Sequence, residues 1–239
     1  MSPLLGSSTS LKVGLVMFPD LTQLDLTGPY EIFARLPRTQ VHLVAATVAP
    51  VRSERGLTIA PDATFESVPQ LDVLCVPGGV GVNAMMEDGA FLEFLQNQAR
   101  HARYVTSVCT GALLLGAAGL LRGYRATTHW LSLDLLPLFG AQPVDERVVI
   151  DRNRITGGGV TAGIDFGLAV ASELFGQPVA EEIQLMIEYD PAPPFTSGSA
   201  KSASAGLIER VVETRQRVQR ERRSIAERVG RTLPTAQSS

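Results

Sequence analysis

Histidine, cysteine and tryptophan are scarce in this 239-residue chain, which has three, two and one of them. Each scarcity closes a class of function. Two cysteines, Cys75 inside one apolar run and Cys109 at the end of another, make no disulfide framework, and His42, His101 and His129 fall in no spacing that matches a zinc site. Neither metal nor cofactor is expected: the glycine triplet Gly157-Gly158-Gly159 lacks the spacing and the following Lys or acidic partner of a phosphate loop or dinucleotide fingerprint. No apolar stretch is long enough for a membrane span. Residues 1–10 have neither the basic start nor the apolar centre of a signal peptide, so they are expected to form a disordered leader on a cytoplasmic protein. Charge of one sign is missing too. With 21 Lys and Arg against 24 Asp and Glu, the net charge of −3 gives no general attraction to nucleic acid or to an anionic membrane, so the expected partner is a small molecule.

What is present is the material of a full core: 45% hydrophobic and 19% charged residues, in a chain long for one domain and short for two. Apolar runs at 11–18, 41–48, 71–76 and 104–108 read as strands, and helical patterns follow at 28–33, 91–102, 161–175 and 179–189. Two short hairpins are expected, around Glu54-Arg55-Gly56 and around Asp151-Arg152-Asn153. Strands alternating with helices predict an α/β fold, a mostly parallel sheet with helices on both faces, over 11–190. A Pro-, Ser- and Gly-rich linker at 191–205 then leads to an amphipathic C-terminal helix at 206–231, with Leu207, Val211, Val218, Ile225 and Val229 on one stripe.

The most informative stretch is Tyr104-Val105-Thr106-Ser107-Val108-Cys109-Thr110-Gly111-Ala112, a β-branched run that stops at one cysteine and turns into a small-residue helix. That is the outline of a nucleophile elbow, with sulfur in place of the usual hydroxyl. Free N–H groups at the helix start would favour thiolate over thiol; the plainer alternative is a small buried Cys at a strand end. In a parallel sheet the binding crevice lies beyond the carboxyl ends of the strands. There, Leu24-Asp25-Leu26 sets a carboxylate between two leucines, where burial would keep it protonated beside a thiolate, unless Asp25 is a helix cap or turn residue. Pro77-Gly78-Gly79 offers bare backbone N–H groups for an anionic intermediate, with Gly79 the best placed, or else is only a tight turn. Thr110 adds a hydroxyl beside the sulfur. His129 is read first as a helix-start residue, and Gly78, His129 and Trp130 as pocket lining, with Phe195 a further aromatic near the motifs. No Lys or Arg is next to Cys109 or Asp25 in sequence, so an apolar substituent is expected on the ligand.

These pieces, together with A-T-T-H-W at 126–130 and T-G-G-G-V-T-A-G-I-D at 156–165, are collinear and resemble the ThiJ/PfpI superfamily over roughly 11–190. The resemblance implies a flavodoxin-like fold related to the class I glutamine amidotransferases. Within the superfamily, L-D-L-T-G-P, R-A-T-T-H-W, E-R-V-V and Y-D-P-A-P-P-F at 189–195 are similar to the isocyanide hydratases. Protease-like members carry His directly after the cysteine, where this chain has Thr110, and the late His-Glu pair of the amidotransferases is not found. Sensory domains of AraC-type regulators share much of these motifs, but precede two helix-turn-helix units. Here a single basic helix follows, with eight Arg and four Glu between Ile208 and Arg231.

The resemblance implies hydration of R–N≡C to a formamide without metal or cofactor. Cys109 would attack carbon, Asp25 would deliver the proton and then activate water, and Thr110 would position water or acid. The amides of Gly79 and Thr110 would steady negative charge. The alternative is a ligand or redox sensor whose signal is modification of Cys109. Members of the superfamily generally dimerise, so the C-terminal helix is expected to bury its stripe against a second subunit, the competing account being that it folds back on its own domain.

Overall fold

The computed structural model describes residues 10–234, so the expected leader, apart from Ser10, lies outside the described residues. The first strand, β1 (Leu11–Val16), is almost wholly buried, as a central strand covered on both faces must be. Helix α1 (Gln23–Phe33) leads to β2 (Thr39–Ala45); β3 (Val51–Arg52) and β4 (Thr58–Ile59) pair antiparallel as the first hairpin, and β5 (Ala63–Thr64) returns to the main sheet. The buried β6 (Val73–Val76) is followed by the short α2 (Val82–Met85), α3 (Gly89–Ala99), β7 (Tyr104–Val108) and α4 (Gly111–Ala117). Next come β8 (Arg125–Ala126), a 3-10 helix (Trp130–Phe139) and β9 (Gln142–Pro143), then the second expected hairpin, β10 (Val148–Asp151) and β11 (Arg154–Gly157). Helices α5 (Ala162–Phe175), α6 (Gln177–Met186) and α7 (Ala205–Thr232) close the described chain.

Seven strands form one sheet in the order β10-β11-β7-β6-β1-β2-β5, parallel except for β10. From β1 the chain first steps outward to β2 and later returns to β6 on the other side. Loops after β1 and β6 therefore diverge and leave a crevice at the carboxyl ends of the strands, the usual ligand position in such sheets. An isolated bridge between Leu21 and Gly79 ties those two loops together across the crevice. Crossovers running in both directions from β1 put helices on both faces, since such connections share one hand, and α1 packs against α5 through Ile32 and the bare backbone of Gly167.

One boundary differs from the sequence expectation. Helix α1 opens at Gln23, so Asp25 is in its first turn and Pro29 is inside the helix. The C-terminal helix packs on its own domain: Ile225 and Ala226 are buried, and Gly230 runs so close to the Leu138 carbonyl that no side chain would fit between them. Exposed ion pairs from Arg223 to Asp134 and from Arg228 to Glu87 flank this contact, each of a kind that contributes only about 0–1 kcal/mol, so burial of Ile225 and Ala226 contributes more than either.

Candidate active site

Cys109 ends β7 with φ of 55°, a left-handed backbone that non-glycine residues adopt at a cost of roughly 1–3 kcal/mol. Hydrogen bonds on both sides hold the strained residue. Its N–H donates to the Gly157 carbonyl at 3.0 Å, and its carbonyl accepts the Thr128 hydroxyl at 2.8 Å. Because α4 begins two residues later, the Thr110 N–H faces the sulfur.

Asp25 is wholly buried, and its Oδ2 accepts the Gly78 N–H at 2.9 Å. Among the described residues Oδ1 has no hydrogen-bond partner. Burial, opposed by the Gly78 N–H and the Cys109 thiol, pushes the carboxyl up to about 7. The same burial, reinforced by the neighbouring carboxylate, pushes the Cys109 thiol up, so the helix start alone does not set its ionisation. Two acids this close ionise as a pair, and the first proton leaves near neutrality. Thr127 and Thr128, from the A-T-T-H-W motif, are buried behind the elbow.

The two glycines after β6 have work other than the one expected. A side chain at Gly78 would collide with Thr110 and with the Asp25 carboxylate. Gly79, at φ of 139°, donates its N–H to Thr110 Oγ1 at 3.0 Å, so this amide fixes the hydroxyl beside the sulfur and is not free to face a reacting oxygen.

One cavity of about 90 Å³ opens onto the sulfur, lined by Cys109, Thr110, Gly79, His129, Thr22 and Glu54 from the α/β unit. Helix α7 supplies the remaining polar wall, with Arg215, Val218, Gln219 and Arg222 presented from one of its faces. Arg222 is 4% exposed. Its Nη2 donates to the Gly79 carbonyl at 2.9 Å, its Nε to Asn83 Oδ1 at 2.8 Å and its Nη1 to Ser132 Oγ at 3.4 Å. Sequence reasoning missed it, because the absence of Lys or Arg beside Cys109 and Asp25 holds along the chain and not in space. A signal was there: Arg222 falls on the apolar stripe, between Val218 and Ile225, where a charge has no reason to be unless it is used.

His129 lines the cavity and accepts the Leu131 N–H through Nδ1 as cap of the 3-10 helix, as the plainer reading had it. Burial, with Arg222 and Arg215 nearby, pulls it down to about 4, so it is neutral in ordinary buffers. Trp130 is not in this cavity; it borders a separate one with Leu207 and Val211, because successive residues of a 3-10 helix point a third of a turn apart. Phe195 is 79% exposed. Gly78 touches Asp25 and not the cavity wall. Cys75 is wholly buried in β6, with its thiol pushed up to about 12 by that burial. Among the described residues no cluster of three or more His, Cys, Asp or Glu could hold a metal, and no helix is long and apolar enough to cross a membrane.

Comparison with known proteins agrees with this geometry. The chain is 57% identical over 200 residues to the isonitrile hydratase of Pseudomonas putida, covering 84% of this chain and 88% of that one. It is 35% identical over 151 residues to the HTH-type transcriptional regulator GbdR of Pseudomonas aeruginosa, covering 62% of this chain and 41% of the regulator. Among solved structures, a ThiJ/PfpI family protein from Pseudomonas syringae superposes with a TM-score of 0.89 at 43% identity, over 95% of this chain and 97% of that one. The DJ-1/PfpI family profile matches residues 11–173. That match runs from β1 into α5, through every element that carries the elbow and its flanking loops, and the chain belongs to the DJ-1/PfpI family.

Proposed function

We infer that the protein is an isonitrile hydratase, adding water to isocyanides, R–N≡C, to give N-substituted formamides. One observation carries the chemistry: a strained cysteine shares a buried site with a carboxyl whose ionisation falls near neutrality. The likeness to the Pseudomonas putida isonitrile hydratase, over most of both chains, supports the substrate class.

The isocyanide carbon becomes a good electrophile only as it is protonated, so attack and proton delivery have to coincide. The reactive state is the pair with one proton, in the form that has thiolate on Cys109 and acid on Asp25. Asp25 gives its proton to the carbon while sulfur bonds to it, producing the thioimidate R–N=CH–S–Cys109 and an Asp25 carboxylate. That carboxylate removes a proton from water as oxygen adds to the same carbon and passes it to nitrogen, giving the adduct R–NH–CH(OH)–S–Cys109. Collapse of the tetrahedral adduct breaks the C–S bond, releases R–NH–CHO and returns one proton to the pair. The Thr110 N–H steadies charge on sulfur, while its hydroxyl, fixed by the Gly79 N–H, orients the water.

No step in this scheme calls on a metal or cofactor. A redox sensor would use the same cysteine, but oxidation of a thiol has no need of the buried Asp25 carboxyl beside it, which favours the hydratase over the sensor. The protein works as a cytoplasmic homodimer in this reading. Leu185, Met186 and Phe195, all strongly exposed, support a second copy covering that surface. The decisive experiment follows loss of the N≡C infrared stretch and appearance of formamide. Turnover by the wild type and none by Cys109→Ala is expected; near-normal turnover by the variant would overturn covalent catalysis.

A further inference from the structure

Arg222 is a buried guanidinium whose acceptors among the described residues are all neutral, an amide oxygen, a hydroxyl and a peptide carbonyl. Carboxylates act on it only through space, from Glu54 and Glu221. Burying a cation without an opposite charge in contact is costly, and burial does pull its ionisation down. The guanidinium nevertheless stays charged at neutral pH. Such a group persists where something else requires it, and this one lines the cavity that contains Cys109.

Its connections run straight to the nucleophile. The Gly79 carbonyl is held by Arg222, and the N–H of that same glycine is held by Thr110 Oγ1, the residue next to the sulfur. The Thr110 hydroxyl also donates to the Gly79 carbonyl, at 3.4 Å, so the guanidinium and the hydroxyl share that oxygen, and the shorter, charge-assisted bond from Arg222 is the stronger of the two. The charge of Arg222 also bears unequally on the two acids. It lowers the ionisation of Cys109, whereas the groups that bear on Asp25 are Gly78, Cys109 and Glu54.

We propose that Arg222 is a positioning residue of the hydratase site: it raises the share of the Cys109–Asp25 pair's negative charge that sulfur carries, and it holds the Gly79 peptide that fixes the Thr110 hydroxyl beside the sulfur. Helix α7 is then part of the reactive machinery although it lies beyond the stretch that matches the family profile. The inference rests on the isonitrile hydratase reading for its effect on turnover, but its effect on the thiol can be measured with no substrate present.

The groups facing the thiol are Asp25 from α1, the Thr110 N–H and Arg222, with Glu54, His129 and Arg215 around the same cavity. With Arg222→Gln, the charge of the pair should shift further onto Asp25. The ultraviolet absorbance of the thiolate above neutral pH should drop, and alkylation of Cys109 by iodoacetamide should slow at least about tenfold. Turnover of a neutral isocyanide should fall at least about tenfold in kcat, with KM changing less than about threefold. Arg222→Lys keeps the charge and loses the fork, so it should recover most of the thiolate signal and little of kcat. Circular dichroism checks folding. If Arg222→Gln does not fold, Asn83→Ala loosens the guanidinium from outside the cavity and should give a weaker form of the same pattern. A folded Arg222→Gln with wild-type thiolate absorbance and kcat overturns the inference, as does an unchanged Asn83→Ala when the first variant cannot fold. Normal thiol behaviour in a wild type that hydrates no isocyanide would instead count against the hydratase reading.

Discussion

The Gly78 N–H donates to Asp25 Oδ2 at 2.9 Å, and this is the one backbone hydrogen bond that the buried carboxylate has among the described residues. One such bond does not offset full burial, which is why ionisation of Asp25 moves up to about 7. Below that value the Asp25–Cys109 pair holds two protons and has no thiolate; above it the pair holds one, the state that reacts. Activity, as kcat/KM, should therefore rise with pH through about 7 and fall again in the alkaline range, as the second proton leaves a thiol pushed up by burial. A rise near 7 invites assignment to histidine. His129→Asn should nonetheless leave the limb where it is, because His129 is pulled down to about 4 and Asn caps a helix start as well.

Stability should run against activity at Asp25. The folded carboxyl titrates near 7 and an ordinary one near 3.8, so between those values the folded chain holds a proton that the unfolded chain has lost. Wild-type stability is then greatest below the lower value and declines as pH rises through the upper one, by up to roughly 4 kcal/mol. Asp25→Asn should flatten this decline and raise the melting temperature above neutral pH, while removing nearly all turnover. Denaturant melts at several pH values test it; a variant that parallels the wild-type curve would mean that some other group causes the decline.

The elbow predicts an inverted order of substitutions at the nucleophile. In most positions alanine is the more stabilising of the two small residues. At φ of 55° glycine should win, with Cys109→Gly more stable than Cys109→Ala by about 1 kcal/mol, and both without activity. Thermal melts of the two variants side by side are sufficient.

A single methyl group at Gly78 should disable the site from behind. The added Cβ would be 2.5 Å from the Thr110 nitrogen, 2.6 Å from its Oγ1 and 2.8 Å from Asp25 Oδ2, and none of these can retreat without breaking a bond already described. Displacements near 1 Å can cost about 100-fold in rate. Gly78→Ala should lose at least that much in kcat/KM and still fold, since it disturbs only one rim of the sheet; a drop of less than about fivefold would show that the Gly78 amide does not hold Asp25.

Legibility in the sequence followed the range of the interactions. Cys109 could be read because its signal is local, a β-branched strand broken by one residue before Gly and Ala. Asp25 was found by its leucine neighbours, but its place inside α1 was misjudged. Gly28-Pro29 looks like a helix start, whereas the helix accommodates Pro29 and opens at Gln23. The roles of Gly78 and Gly79 could not be read, because each depends on a partner on a different strand or helix. Arg222 and the return of α7 are the extreme case. Nothing near Cys109 in the chain announces a cation that arrives from the last described helix, and an apolar stripe suits a partner subunit as well as its own domain.

The isolation of Cys75 makes the protein its own calibrant. A thiol sealed within β6 and pushed up to about 12 does not react on the timescale of its neighbour, so a native chain should consume one equivalent of a thiol reagent and a denatured chain two. The native count per folded chain is the fraction of molecules with a live nucleophile, and the denatured count checks the total. Turnover measured on any folded preparation can thus be expressed per working site, with oxidised copies removed from the denominator.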